Sequence, residues 1–224
     1  MEVLVVGNTA YVDDDFCAKA FPGDHVQVVA AAEARRDESS PHASWKELLQ
    51  HLDQAYEFDR VVYLSNYLSP HTDTVGDIET LRSVFRACAG RRVQLLFIAG
   101  PAGSEGAADA AGRTGKGIIA CAANDLCRYY AAREGVQTKI LRVPFLYTAS
   151  AALEDPFLVP LFDACLTGSV ALQGAQDASF PLLCAEELAV LVRRIFDSWD
   201  GNFETLDVAD TFHHASGEVG EALK

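Results

Sequence analysis

Five short, mostly apolar runs punctuate the first two thirds of the chain: Val3 to Val6, Val26 to Ala32, Val61 to Leu64, Val93 to Ile98 and Thr138 to Val143. Each holds four to seven residues rich in valine, leucine and isoleucine, the pattern of a strand buried on both faces. Between them lie amphipathic stretches at Asp14–Ala20, Ser44–Ala55, Asp77–Ala89 and Ala122–Glu134. In the third, Ile78, Leu81, Phe85 and Cys88 recur at helical spacing and share one face. Strands alternating with helices predict parallel β-α-β units, right-handed crossovers and a doubly wound α/β sheet. After residue 150 the rhythm changes, with Asp-Pro, Thr-Gly and Gln-Gly breaks. That region predicts a helix at Phe157–Leu166, a strand at Val170–Leu172, a helix at Ala185–Ser198 and a strand at Phe203–Val208. Ser216–Lys224 reads as a helix that stops short, as in a domain cut from a longer polypeptide.

The chain has 224 residues, 50% hydrophobic and 22% charged, which suits one sizeable domain, or one domain with a small lobe, and excludes a disordered chain. Acids outnumber Lys and Arg by 32 to 18, for a net charge of −14. That argues against nucleic acid or an anionic membrane as a bulk-charge partner. The longest apolar stretches reach about half of the roughly 20 residues a membrane span needs. The N-terminus enters a strand directly, without a basic region or cleavage site, so no signal peptide and a cytoplasmic location are expected. The six cysteines, Cys17, Cys88, Cys121, Cys127, Cys165 and Cys184, form no C-x-x-C pair. Buried reduced thiols are expected of them, ahead of a disulfide framework or a zinc site. His213 and His214 are adjacent and point apart on any regular element, so they read as surface residues and no metal site is expected.

Several segments, in order, resemble the extended short-chain dehydrogenases, the NAD-dependent sugar epimerase/dehydratase group. VLVVGNTAYV is similar to their first strand and turn, and FDRVVYLSNYLSP to their fourth strand and the loop after it. ANDLCRYYAAREGVQTKILRVPFLY is similar to the helix and strand that follow their catalytic motif. ALQGAQDASFPLLCAEELAVLVRRIF resembles a later segment, with Glu186, Glu187, Leu188 and Ala189 at its end, and NFETLDVADTFHHASGEVGEAL the one after. The resemblance implies a Rossmann-like nucleotide-binding-type domain over residues 1–150 and a reduced substrate-type lobe over 151–224, interleaved with the sheet. Family members run longer, so part of the usual lobe is missing. The resemblance also implies cofactor contacts from Gly7, Asn8, Thr9, Ala10, Tyr11 and Val12 in the first turn, and from Ser65.

A dinucleotide turn uses glycines for a tight turn, for close approach of backbone to pyrophosphate and for packing of helix on strand. At the family's three glycine positions this chain has Gly7, Ala10 and Asp13. Asp13 opens the run Asp13-Asp14-Asp15 where the helix should begin. Free N–H groups at a helix start normally hold the pyrophosphate. Carboxylates there cap the helix internally and repel a diphosphate. The expectation is therefore a turn that caps its own helix, with NAD(P) bound, if at all, in a modified way. At the end of the second run, Ala31 stands where an acid would hold the ribose. Glu33, Arg35 and Arg36 follow in a polar loop, the arginines suited either to a 2′-phosphate or simply to solvent.

The family's proton relay is Y-x-x-x-K on one helix, a tyrosinate whose pKa the lysine lowers. The five lysines are Lys19, Lys46, Lys116, Lys139 and Lys224, and four residues before them stand Asp15, His42, Gly112, Gly135 and Gly220. The motif is absent from the chain, and its positions read Lys116 and Ala120. The family's Ser/Thr is replaced by Ala99-Gly100-Pro101, with Ser104 displaced. Two further loops draw attention. Gly100, Gly103 and Gly106 follow the fourth run rather than the first, with Pro101 and Glu105 ill-suited to phosphate. Gly112 to Gly117, with Arg113 and Lys116, is a locally basic loop that lacks the Ser/Thr of a P-loop. Glu186-Glu187 begin a helix and are expected to cap it.

The leading expectation is an atypical, non-catalytic relative that binds, senses or scaffolds, with a nucleotide or sugar-nucleotide ligand in the residual cleft. The first alternative is an NAD(P)-dependent epimerase, dehydratase or reductase with displaced groups, drawn from Tyr129, Tyr130, Lys116 and Ser104. The second is an assembly module, a homodimer through helices 77–89 and 122–134, the pair that family dimers use.

Overall fold

The computed structural model describes residues 1–7, 11–30, 58–64, 74–100, 115–147, 179–180, 182–208 and 214–215. In chain order these form β1 (Glu2–Gly7), α1 (Asp14–Ala20), β2 (His25–Ala30), β3 (Arg60–Leu64), α2 (Thr74–Cys88) and β4 (Gln94–Ala99). There follow α3 (Gly115–Arg133), β5 (Gln137–Arg142), β6 (Phe145–Tyr147), β7 (Ser179–Phe180), β8 (Leu182–Cys184), α4 (Ala185–Asp197), β9 (Phe203–Asp207) and β10 (His214–Ala215). The main sheet has six strands in the order β2-β1-β3-β4-β5-β9, every pair parallel. This is the expected doubly wound, Rossmann-like α/β fold. The sixth strand, β9, comes from beyond residue 200 and runs beside β5.

The apolar runs are continuous because each strand buries both faces. Val3 and Val5 of β1 face α1 and α4, in a core with Val62, Leu96, Ile98, Phe16, Leu188 and Val192. Leu4 and Val6 face the other way, toward α2 and α3, with Val61, Tyr63, Leu81, Phe85, Cys127 and Tyr130. The two helical layers therefore sit on opposite faces of one sheet, as period-two alternation requires. Burying an aliphatic side chain of this kind contributes about 1.5–3 kcal/mol.

Element ends differ from the sequence reading in instructive ways. Helix α3 begins at Gly115, seven residues before the amphipathic pattern starts at Ala122. Glycine disfavours a helix by about 1 kcal/mol each, so propensity hides this first turn and packing overrides it. The two small sheets, β6 beside β8 and β7 beside β10, went unread. Their strands are two or three residues long and leave no alternation to detect. The helices expected at 44–55, 157–166 and 216–224, and the strand at 170–172, lie outside the described residues.

Candidate functional site

In open α/β sheets, ligands bind outside the carboxyl ends of the strands where the winding direction reverses. Here β2 flanks β1 on one side and β3 on the other, so that point lies beyond Gly7 and Leu64. Gly7 is required for the local packing. A Cβ placed on it would stand 2.6 Å from Leu64 Cβ and 3.2 Å from the Leu64 carbonyl oxygen. Neither atom is the free end of a flexible side chain, so the two strands would have to part. Gly7→Ala is expected to lose about 1–3 kcal/mol of stability by the overpacking mechanism, read as a lower midpoint in urea unfolding.

The turn after Gly7 leads into a helix closed by acids. Asp13 has extended backbone angles (φ −96°, ψ −177°), and its Oδ1 accepts a hydrogen bond from the Phe16 N–H at 2.8 Å. Asp14 and Asp15 fill the first turn, and α1 is only seven residues long. The expectation that this turn caps its own helix is met. Tyr11 and Val12 carry buried side chains within the α1–α4 core. Asn8, Thr9, Ala10 and Ser65 lie outside the described residues, as do Ala31, Glu33, Arg35 and Arg36.

Helix α4 is closed in the same manner. Glu187 reaches back to accept from the Cys184 N–H at 3.4 Å, and Glu186 pairs with Lys19 of α1 at 2.8 Å. The capping role expected of Glu186-Glu187 is thus half local and half a tie between helices. Helix α3 differs: its first turn contains no acid and begins Gly115-Lys116-Gly117. Because α3 follows β4, this start lies at the carboxyl end of the sheet. Arg113 and Ser104 fall outside the described residues.

The structure separates the displaced catalytic candidates. Tyr129 and Tyr130 lie near the far end of α3, about 20 Å along the axis from Lys116 at 1.5 Å per residue. Tyr130 is buried and stacks on Phe85 at 4.7 Å, whereas Tyr129 is exposed. Neither approaches the crevice. Thiol chemistry is equally disfavoured at Cys17, Cys88 and Cys127. Burial pushes the Cys88 thiol up to about 12, and burial with Asp14 and Asp13 nearby pushes Cys17 up to about 11. Burial also raises Cys127. Among the described residues no cluster of His, Cys, Asp and Glu is arranged to hold a metal, and no helix is long and apolar enough to cross a membrane.

One charged pair at the carboxyl end was not singled out from the sequence. Arg142 ends β5 and Asp207 ends β9, with Nη1 and Oδ1 at 3.5 Å. A charge at the last position of a buried strand was the available signal.

A second cluster sits on the opposite side, near the amino end. Lys139 Nζ donates to Glu204 Oε2 at 2.6 Å and to Asp200 Oδ1 at 2.9 Å, and lies 5.4 Å from the Trp199 ring centre. Burial works to lower the ammonium's pKa, but Glu204 and Asp200 outweigh it and the net shift is upward. The hydrogen bond and charge of Lys139 lower Asp200. A lowered carboxylate contributes stability above its unfolded value and loses it as pH falls through the folded one. A raised ammonium contributes below its unfolded value and loses it as pH rises through the folded one. The cluster is thus fully stabilising between about pH 4 and 10.5. Thermal melts are expected to show a loss below that window that is smaller in Asp200→Asn, where Lys139 keeps only Glu204; an identical acid limb in the variant would refute it.

No protein-family model and no curated protein matches the sequence. Solved structures do match. The enzyme WbmF of Bordetella bronchiseptica, in complex with NAD+, is 15% identical, with 99% of this chain and 77% of that one aligned at a TM-score of 0.70. The UDP-N-acetylglucosamine 4-epimerase of Bacillus cereus is 13% identical over 100% of this chain and 80% of that one, at 0.72. The UDP-glucose 4-epimerase of Thermotoga maritima, solved with UDP-glucose, is 15% identical over 100% and 82%, at 0.73. With identities this low the likeness concerns architecture alone: the chain has the Rossmann-like fold seen in WbmF and in these two sugar-nucleotide epimerases.

Proposed function

We propose that this chain is a ligand-binding Rossmann protein that takes a nucleotide or sugar nucleotide at the β1/β3 crevice and does not carry out hydride transfer. The observation that carries the reading is the Asp13 carboxylate, hydrogen-bonded at 2.8 Å to the Phe16 N–H of α1. That N–H belongs to the set a dinucleotide's diphosphate would use. A two-turn helix with three aspartates at its start offers such a group little attraction and some repulsion. The residues present therefore do not fit NAD(P) in the usual mode. The absence of Y-x-x-x-K from all five lysine positions removes the proton relay independently. The acid-free start of α3, with Lys116 in its first turn, offers an alternative place for a ligand phosphate.

In the test, NAD+, NADH, NADP+, NADPH, UDP and UDP-glucose are titrated calorimetrically. The reading expects heat from a uridine nucleotide and none from the four dinucleotides at concentrations up to about 100 μM, a cut-off near −5.5 kcal/mol. Micromolar binding of any dinucleotide, with turnover of a nucleotide sugar, would restore the epimerase alternative.

A further inference from the structure

Strands β1, β3, β4 and β5 each bury four or five residues, whereas none of the five residues of β9 is buried. Leu206 is only half-buried against the core beneath α1 and α4, and Phe203 is exposed, with Arg128 of α3 at 6.0 Å from its ring centre. Charges from β5 stand in for the missing apolar packing. Lys139, 4% exposed, holds Glu204 and Asp200, and Arg142 holds Asp207. Ile140 belongs to the core beneath α2 and α3, and Leu141 to the core beneath α1 and α4. By alternation Lys139 shares the face of Leu141 and Arg142 that of Ile140, so β9 is gripped at both ends and from opposite faces of the sheet. Gly201 stands between Asp200 and the strand, with φ 67° and open space where a Cβ would be. Just ahead of it, Trp199 stacks on Phe196 and fixes the chain to the end of α4.

We propose that β9 is an ion-latched strap, which swings away from β5 about Gly201 while the rest of the sheet stays intact. Segments with few buried apolar contacts open at a lower free energy than the domain as a whole. Among the described residues β9 is the last strand of the main sheet and pairs with β5 alone, so its departure breaks one ladder. Breaking a buried ion pair is costly chiefly because it strands a charge. Here Asp200 lies ahead of the hinge and remains on Lys139 when Glu204 leaves, so the lysine keeps a carboxylate in both states. At the other end of the strand, opening parts Asp207 from Arg142 and uncovers the edge of β5 from Thr138 to Arg142. That end is the carboxyl end of the sheet, so the strap alters the side of the molecule on which such folds take ligands. The inference is independent of the nucleotide reading.

Two backbone N–H groups at the same end of the sheet report on the strap and on its support. Val208 N–H donates to the Arg142 carbonyl at 3.0 Å, across β9 and β5, and Val143 N–H donates to the Ala99 carbonyl at 2.9 Å, across β5 and β4. Amide hydrogen exchange of the full chain is followed by NMR and corrected for intrinsic rates. Val208 is expected to exchange about a hundredfold or more faster than Val143. Raising NaCl from about 0.1 M to about 1 M is expected to speed Val208 several-fold and leave Val143 unchanged. Glu204→Gln is expected to speed Val208 about fivefold, since the latch is lost and the lysine keeps Asp200. Asp200→Asn is expected to slow it, because Lys139 then depends on Glu204 alone. Equal protection of Val208 and Val143 would overturn the proposal, as would salt or Glu204→Gln speeding both together. So would Asp200→Asn speeding Val208 as much as Glu204→Gln does, the mark of a cluster that merely stabilises the whole domain.

Discussion

Asp13→Ser is expected to strengthen binding of nicotinamide dinucleotides by about tenfold at physiological salt, and by up to about a hundredfold at low salt. Serine keeps the N-cap hydrogen bond to Phe16, so α1 should survive and stability change little. What goes is one negative charge at the helix start. Two unit charges about 5 Å apart at an effective dielectric near 20 repel by roughly 3 kcal/mol, which corresponds to about two decades of affinity. Asp13 is exposed, so ions screen much of this, hence the smaller figure at physiological salt. The comparison is between calorimetric titrations of NAD+ at two ionic strengths. An affinity gain that ignores salt would point to shape rather than charge. No gain at either strength would remove the electrostatic basis of the proposed function. Asp13→Ala separates the two roles of this residue: the same loss of charge, with about 1 kcal/mol of stability lost with the cap.

Phe196→Ala is expected to cost about 3–5 kcal/mol, a large part of a typical domain's stability. Phe196 is buried near the end of α4, where it meets Phe21 at 5.8 Å and stacks on Trp199 at 5.3 Å. The Arg60 guanidinium of β3 lies 5.0 Å from its ring centre. Truncation therefore removes packing from the end of α1, the end of α4 and the central sheet together. It also leaves the cation of Arg60 without its aromatic face. Phe196→Leu, which retains most of the volume, should recover more than half of the loss. Equal denaturation midpoints for the two variants would show that the ring geometry, rather than the filled space, is what counts.

The doubly wound sheet was legible because its strands are buried on both faces. Such strands write themselves as unbroken apolar runs, and Val3–Val6, Val61–Leu64 and Val93–Ile98 are all found in strands or at their edges. The capped turn was legible for a local reason as well. An aspartate three residues ahead of a backbone N–H needs no distant partner to reach it, and Asp13 with Phe16 is such a pair. The first turn of α3 was not legible, since glycines at 115 and 117 argue against the helix that tertiary contacts impose. The separation of Lys116 from the tyrosines was legible as a displacement of two turns beyond the usual site, and the burial of Tyr130 agrees with the expectation that one of the two tyrosines is core.

What the amino-acid order determined by itself is therefore whatever depends on neighbours along the chain: strand and helix alternation, the acid-closed start of α1, and the missing tyrosine–lysine pair. What only the tertiary structure decided depends on residues far apart in sequence. Leu64 forbids a side chain at Gly7. Asp200 and Glu204 converge on Lys139. Periodicity encodes which face of an element is apolar. The partner of that face is set by chain closure and packing density, which no local pattern records.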